Sequence, residues 1–356
     1  MASRRDFCKT IAGVTAGMYF AGRGFTAAAA TQTPPVRRQL NIGGRRVRVI
    51  DVHNHWDMPL PMEVVKGTPF EERAKGPGLD DRIAILDKMG IDIAAVSVND
   101  FWWWETKDRG LARAICNVHN ETLAKWNRMH PDRIVGMASV PLQFPDLAAE
   151  MLQEAVTKFG ARGVTVGGHV NGESLSLPKF DPFWAKAAEM GQLVFMHPNG
   201  SGNLLKEGAL AGRGGLGNIV GNPLETTVFL SRLIFDGTFD KFPALKVCGA
   251  HGGGYLPSYL GRTEVACQRA NQNCIIKKKP SDYMRSQILA DTMVFTEDGL
   301  RHLVAEMGAG QVVFGTDIPF GWPVNVDYVI NHSTLSNTEK EQILGGNLMK
   351  LLRITS

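Results

Sequence analysis

Eight short apolar runs, spaced along the chain and separated by segments of helical pattern, constrain the fold more than any other feature. They read RVRVIDVH at 46–53, DIAAVSVN at 92–99, RIVGMASVP at 133–141, ARGVTVG at 161–167, QLVFMH at 192–197, LKVCGAH at 245–251, DTMVF at 291–295 and QVVFGT at 311–316. Runs that are apolar almost throughout, with little polar alternation, describe strands buried on both faces, as in a parallel sheet. The segments between them carry helical spacing, for example LDDRIAILDKMG and DLAAEMLQEAVTKFG; the second starts at a Pro-Asp pair and stops on Gly160. Eight strand–helix alternations predict an α/β chain of the (β/α)8 or TIM-barrel type. A doubly wound open sheet is the competing architecture, but no G-x-G-x-x-G follows the first strand. A length of 356 residues suits a barrel with insertions, and 44% apolar against 21% charged residues supplies its core.

The N-terminus reads as a targeting segment. Ser3-Arg4-Arg5-Asp6-Phe7-Cys8-Lys9 resembles the twin-arginine signal consensus, departing from it at Cys8. A Gly/Ala-containing apolar stretch and a cleavage-type Ala28-Ala29-Ala30 follow, too short a run for a transmembrane helix. Residues 1–30 are therefore expected to be a signal peptide, 31–45 a linker, and 46–356 the catalytic domain of an exported, periplasmic protein without a stable membrane anchor. Arg4, Arg5, Lys9 and Arg23 against Asp6 account for three of the four net positive charges, so the remainder offers no basic surface for nucleic acid. Cys267 and Cys274 are close enough in sequence to pair, and no Cys-x-x-Cys spacing suggests a thiolate metal site.

Catalytic groups of such a barrel collect at the C-terminal ends of its strands. The first run ends in His53 and His55, which project from one face because residues two apart in a strand do so. The fifth ends in His197, the sixth in His251, and the eighth runs on to Asp317. Five titratable, metal-competent residues thus occupy equivalent positions on one rim, although the chain has only nine histidines.

Asp51-x-His53-x-His55, Val194-Phe195-Met196-His197-Pro198, Pro223-Leu224-Glu225-Thr226, Ala250-His251-Gly252-Gly253-Gly254, Gly261-Arg262, Gly315-Thr316-Asp317-x-Pro319-Phe320 and the terminal GGNLMKLL together resemble the amidohydrolase superfamily. The resemblance is to the branch of aminocarboxymuconate semialdehyde, γ-resorcylate and 5-carboxyvanillate decarboxylases. It implies a metal-dependent barrel holding one divalent ion through His53, His55, His197 and Asp317, with zinc ahead of manganese. It also implies His251 as general acid/base, with Asp317 beside it, and Arg262 as holder of a substrate carboxylate, reaching across a homodimer. Three imidazoles and one carboxylate form an N/O donor set that suits Zn²⁺ and accommodates Mn²⁺. Strand four offers Val164-Thr165-Val166 where binuclear relatives carry a bridging lysine, which implies a single ion. Asn199 departs from the aromatic residue that commonly follows His-Pro in the family.

The expected activity is non-oxidative decarboxylation of an unsaturated or aromatic carboxylic acid. Hydrolysis or hydration of a C–C, lactone or amide bond at the same site is the alternative. A non-catalytic binding protein is disfavoured, because binding alone needs no acid/base such as His251. Trp103, in the aromatic run 101–104, and His169, after strand four, are the further candidates for contacts with a small carboxylate substrate, with packing of the loop or a subunit interface the equal alternative for the aromatic run. Glu225 is expected to support helix packing rather than chemistry.

Overall fold

The computed structural model describes residues 37–355 apart from 57, 75–79, 270–271 and 324. The expected signal peptide and the first six residues of the expected linker lie outside the described residues.

The described chain opens with an antiparallel hairpin, β1 (Leu40–Ile42) and β2 (Arg45–Val47). Gly43 and Gly44 form its two-residue turn with φ of 56° and 80°, the left-handed pair that such a turn requires. Residues 37–45 had been expected to be linker. Instead, the arginines that gave this segment a linker-like composition secure it. Arg37 and Arg46 both pair with the buried Asp92, and Arg38 pairs with Asp327.

The barrel strands are β3 (Ile50–Asp51), β4 (Ile93–Val96), β5 (Ile134–Ala138), β6 (Gly163–Val166), β9 (Leu193–Met196), β10 (Lys246–Gly249), β11 (Ile288–Asp291) and β12 (Val312–Val313). The intervening β7 (His169–Val170) and β8 (Glu173–Ser174) form a small rim hairpin with Asn171-Gly172 at its turn. The eight barrel strands pair in parallel in chain order, from β3 to β12. First and last strands meet through Val52 N–H to Phe314 O (3.1 Å), Asp317 N–H to His53 O (2.7 Å) and His55 N–H to Ile318 O (2.8 Å), which close the ring. The seventh strand ends at Asp291, whereas 291–295 had been expected. Val294 and Phe295 lie beyond it, and Phe295 takes a left-handed φ of 60° that a strand does not accommodate.

Period-two alternation sorts the side chains. Leu193 and Phe195, Ile93 and Ala95, Val135 and Met137, Cys248, Leu289 and Val313 belong to one buried cluster inside the barrel. Their neighbours Val194, Met196, Ala94, Val96, Val164, Val247 and Val312 join a second cluster with helix residues such as Leu152, Phe183, Leu233 and Leu303. Local chemistry sets the helix ends. Asp108 caps Arg109–Met129 by accepting from Leu111 N–H, and Thr296 caps Glu297–Met307 through Gly299 N–H. The helix Pro145–Phe159 begins on proline and stops at Gly160, which adopts the left-handed conformation. Among the described residues no helix is long and apolar enough to cross a membrane.

Candidate metal centre and active site

The rim residues expected from the strand ends converge. One donor atom each from His53, His55, His197 and Asp317 lies within 4.8 Å of all the others. Asp317 Oδ1 is 3.1 Å from His53 Nε2 and 2.8 Å from His55 Nε2, and the His55 and His197 rings are 4.4 Å apart in an edge-on arrangement. His53 Nε2, His55 Nε2, His197 Nδ1 and Asp317 Oδ1 are buried and make no satisfactory hydrogen bond. Buried polar atoms without partners are costly. Four of them aimed at one another fit a single divalent cation that would satisfy all four. On β6, Thr165 donates to Asn99 Oδ1 at 3.1 Å, with no lysine in the strand. The donor set is therefore that of a mononuclear metal site.

Charge in the pocket points the same way. Burial depresses the pKa of His53, but Asp317 and Asp291 overcome it and raise the group to about 10. Burial pushes Asp317 up, and the positive charge of His53, with the His251 and His55 imidazoles close by, more than reverses this, leaving it far below the usual carboxylate range. Burial and the surrounding imidazoles keep His197 well below an ordinary histidine. Two enclosed carboxylates thus demand positive charge, which either protons or a metal cation can supply.

His251 stands beside this set. Its Nε2 is 3.8 Å from Asp317 Oδ2, and its ring centre is 5.1 Å from that of His53 and 5.5 Å from that of His197. Its backbone is left-handed (φ 56°), as is that of Asp317 (φ 56°). For residues other than glycine this conformation is strained, and it recurs where side-chain aim matters. Asp291 holds the turn, its two carboxylate oxygens accepting the N–H groups of His251 (3.1 Å) and Gly252 (2.7 Å).

Sequence reading gave Asp291 no role. It is completely buried, and its Oδ2 lies 2.6 Å from His53 Nδ1, so it orients the first histidine as well as the His251 turn. The signal was its place at a strand end, hidden once the seventh strand was set three residues late. Asp51 opens the Asp-x-His-x-His motif. It ties the first strand to the last by accepting from the N–H of His53 (3.0 Å), the N–H of Thr316 (3.1 Å) and the hydroxyl of Thr316 (2.7 Å). Arg82, also missed, donates to the His55 carbonyl at 2.9 Å while its guanidinium lies 4.7 Å from the centre of the Trp56 ring.

The three candidates for substrate contact fare differently. Trp103 is fully buried, and its indole N–H donates to Val140 O at 3.1 Å. It packs the interior of the rim loop and is corrected from ligand wall to core residue, because a side chain with no exposed surface offers none to a substrate. His169 is half-buried on the rim hairpin; its Nδ1 accepts Gly172 N–H at 3.1 Å and its Nε2 faces Gly200 O at 3.4 Å. Arg262 is exposed on the helix Leu260–Glu264, in a cleft of about 360 Å³ shared with Phe235, Val265 and Arg269. No member of the histidine cluster lines that cleft. At the rim itself, Phe320 is 62% exposed and meets the His55 ring edge-on at 4.8 Å.

A family model described as Amidohydrolase matches residues 50–354. The chain is 30% identical over 285 residues to the 2-amino-3-carboxymuconate-6-semialdehyde decarboxylase of Dictyostelium discoideum, covering 77% of this chain and 76% of the relative. It is likewise 30% identical over 298 residues to the γ-resorcylate decarboxylase of Rhodococcus jostii, covering 76% and 88%. Among solved structures, the 5-carboxyvanillate decarboxylase of Novosphingobium aromaticivorans, complexed with manganese and 4-hydroxy-3-methoxy-5-nitrobenzoic acid, superposes with a TM-score of 0.74. That match is at 24% identity and covers 86% of this chain and 96% of the other.

Proposed function

Because the chain belongs to the amidohydrolase family, we propose that it is a metal-dependent, non-oxidative decarboxylase of an unsaturated or aromatic carboxylic acid. The observation that carries this reading is the convergence of His53, His55, His197 and Asp317 on one cation-sized centre, with His251 beside Asp317. The two curated relatives described above are decarboxylases of such acids.

When bound, a divalent ion supplies Lewis acidity toward a substrate oxygen. His53, His55, His197 and Asp317 would hold it. His251, with 14% of its side chain exposed, is placed to deliver a proton to the carbon that bears the carboxylate. That carbon gains the proton as its bond to the carboxylate breaks, the bonding pair stays with the carbon skeleton, and CO₂ departs. Phe320 gives the rim an apolar face against which a flat substrate can lie. Arg262, exposed and free of hydrogen bonds or ion pairs within the described chain, suits a carboxylate delivered across a homodimer interface.

For the metal, the donor set alone favours zinc, whereas the related 5-carboxyvanillate decarboxylase structure holds manganese. Manganese is accordingly placed first and zinc second. Export through the twin-arginine route is supported by the Cys267–Cys274 disulfide, a bond at home in an oxidising compartment.

The test loads the protein with manganese or zinc and presents unsaturated and aromatic carboxylic acids, lactones and amides, with products read by mass spectrometry. A product lighter by CO₂ is expected. A product heavier by water would replace this reading with hydrolysis or hydration at the same site.

A further inference from the structure

The helix Asn222–Phe235 carries Glu225 in its first turn and points it inward, leaving 2% of the residue exposed. One carboxylate oxygen, Oε1, accepts two backbone N–H groups: that of Gly168 at 3.0 Å and that of Asn199 at 2.9 Å. Gly168 lies in the loop after β6 and Asn199 in the loop after β9, strands that neighbour each other with Val166 opposite Met196. A Cβ on Gly168 would run into Oε1 of Glu225 and approach its Cγ to 2.6 Å and Met196 Cε to 2.8 Å. The loop therefore has glycine where the carboxylate must enter.

His197 lies inside the braced segment. Its own N–H is fixed on Val166 O at 2.9 Å, and two residues later Asn199 N–H is fixed on Glu225, with Pro198 between them. A ligand held between two backbone anchors across a proline has little freedom to turn from its partners. Simple helix packing needs none of this, because the carboxylate makes no hydrogen bond to its own helix and spends its accepting oxygen on two rim loops.

We propose that Glu225 is a positioning residue for the metal centre, holding His197 in its ligating pose by bracing the β6 and β9 loops on one oxygen. The inference rests on His197 being a ligand, but not on the reaction catalysed.

The test measures Co²⁺ affinity and the visible Co²⁺ spectrum of the wild-type chain and of Glu225→Ala, Glu225→Gln and Gly168→Ala. Losing the acceptor in Glu225→Ala should weaken binding by about 10- to 100-fold and alter the spectrum, the range typical of groups that orient metal ligands. Glu225→Gln keeps a carbonyl oxygen at the same place and should stay within about threefold of wild type, the tolerance expected when the acceptor survives. Gly168→Ala, which displaces an intact Glu225, should behave like Glu225→Ala and carries the test if the latter fails to fold. A purely structural glutamate would lower thermal stability while leaving affinity and spectrum unchanged in the folded variants, and that result overturns the proposal. A Gln variant as weak as the Ala variant overturns it too. A wild-type chain that binds no Co²⁺ would instead remove the metal centre itself, an outcome separable from either.

Discussion

Asp291 Oδ2 lies 2.6 Å from His53 Nδ1, and both residues are fully buried. The contact fixes which ring nitrogen of His53 faces the other donors, since the nitrogen paired with the carboxylate cannot also reach the ion. Asp291 also secures the His251 turn, so one side chain sets the aim of both His53 and His251.

Replacing Asp291 by Asn should therefore lower metal affinity by about 10- to 100-fold, the range for orienting carboxylates. Competition with a chelator, followed by elemental analysis of the folded variant, measures it. Unchanged affinity would show that His53 is held by packing alone.

His251→Ala should leave metal content intact and reduce turnover by about 10²- to 10⁴-fold, as for loss of a general acid. Its donor atoms are not among the four that converge, so the two effects separate. A variant with wild-type turnover would make His251 structural.

Trp103→Phe should act on stability alone. It removes a buried N–H donor to Val140 and part of a packed ring, at a cost of about 1–3 kcal/mol in urea unfolding, with KM for the eventual substrate unchanged. A raised KM without loss of stability would return Trp103 to the substrate wall.

Acidity should tune the stability of the metal-free chain through Glu225. Burial pushes its carboxyl from 4.5 up to about 7, against the opposing backbone hydrogen bonds from Asn199 and Gly168. The folded state therefore keeps this proton longer than the unfolded state, and stability falls as pH rises from about 4.5 to about 7, then levels. Relative to Glu225→Gln, the wild-type chain should lose up to about 3 kcal/mol across that window. Urea midpoints of both proteins after chelation test the sign; parallel pH curves would contradict it.

Changing Arg4 and Arg5 together to Lys should retain the protein in the cytoplasm, read by cell fractionation. Continued appearance of the double variant outside the cytoplasm would remove the export proposal.

The barrel was legible because burial on both faces leaves a nearly unbroken apolar run, and seven of the eight runs overlie the strands that form. The seventh run misled by composition. Thr292, Val294 and Phe295 look more strand-like than Ile288–Asp291, but the ladder to β12 pairs Ala290 with Val312 and Asp291 with Val313. The converging rim residues were legible as a set, because five titratable side chains fall at matching strand ends in a chain with only nine histidines. Burial was not legible. Four consecutive aromatic residues, 101–104, read alike whether they wall a pocket or fill a loop, and only the packed structure places Trp103 inside. Glu225 was opaque for a related reason, because its partners are backbone N–H groups from two loops distant in sequence, which leave no pattern in side-chain types.

The closure of the ring has a temporal corollary. Its first and last strands are joined where His53 and Asp317 face each other, near opposite ends of the described chain. A ribosome-tethered fragment lacking the final strand presents histidines without their carboxylate and a cylinder still ajar. The four-donor set is therefore complete only once the chain has extended past Asp317 and the ring has closed.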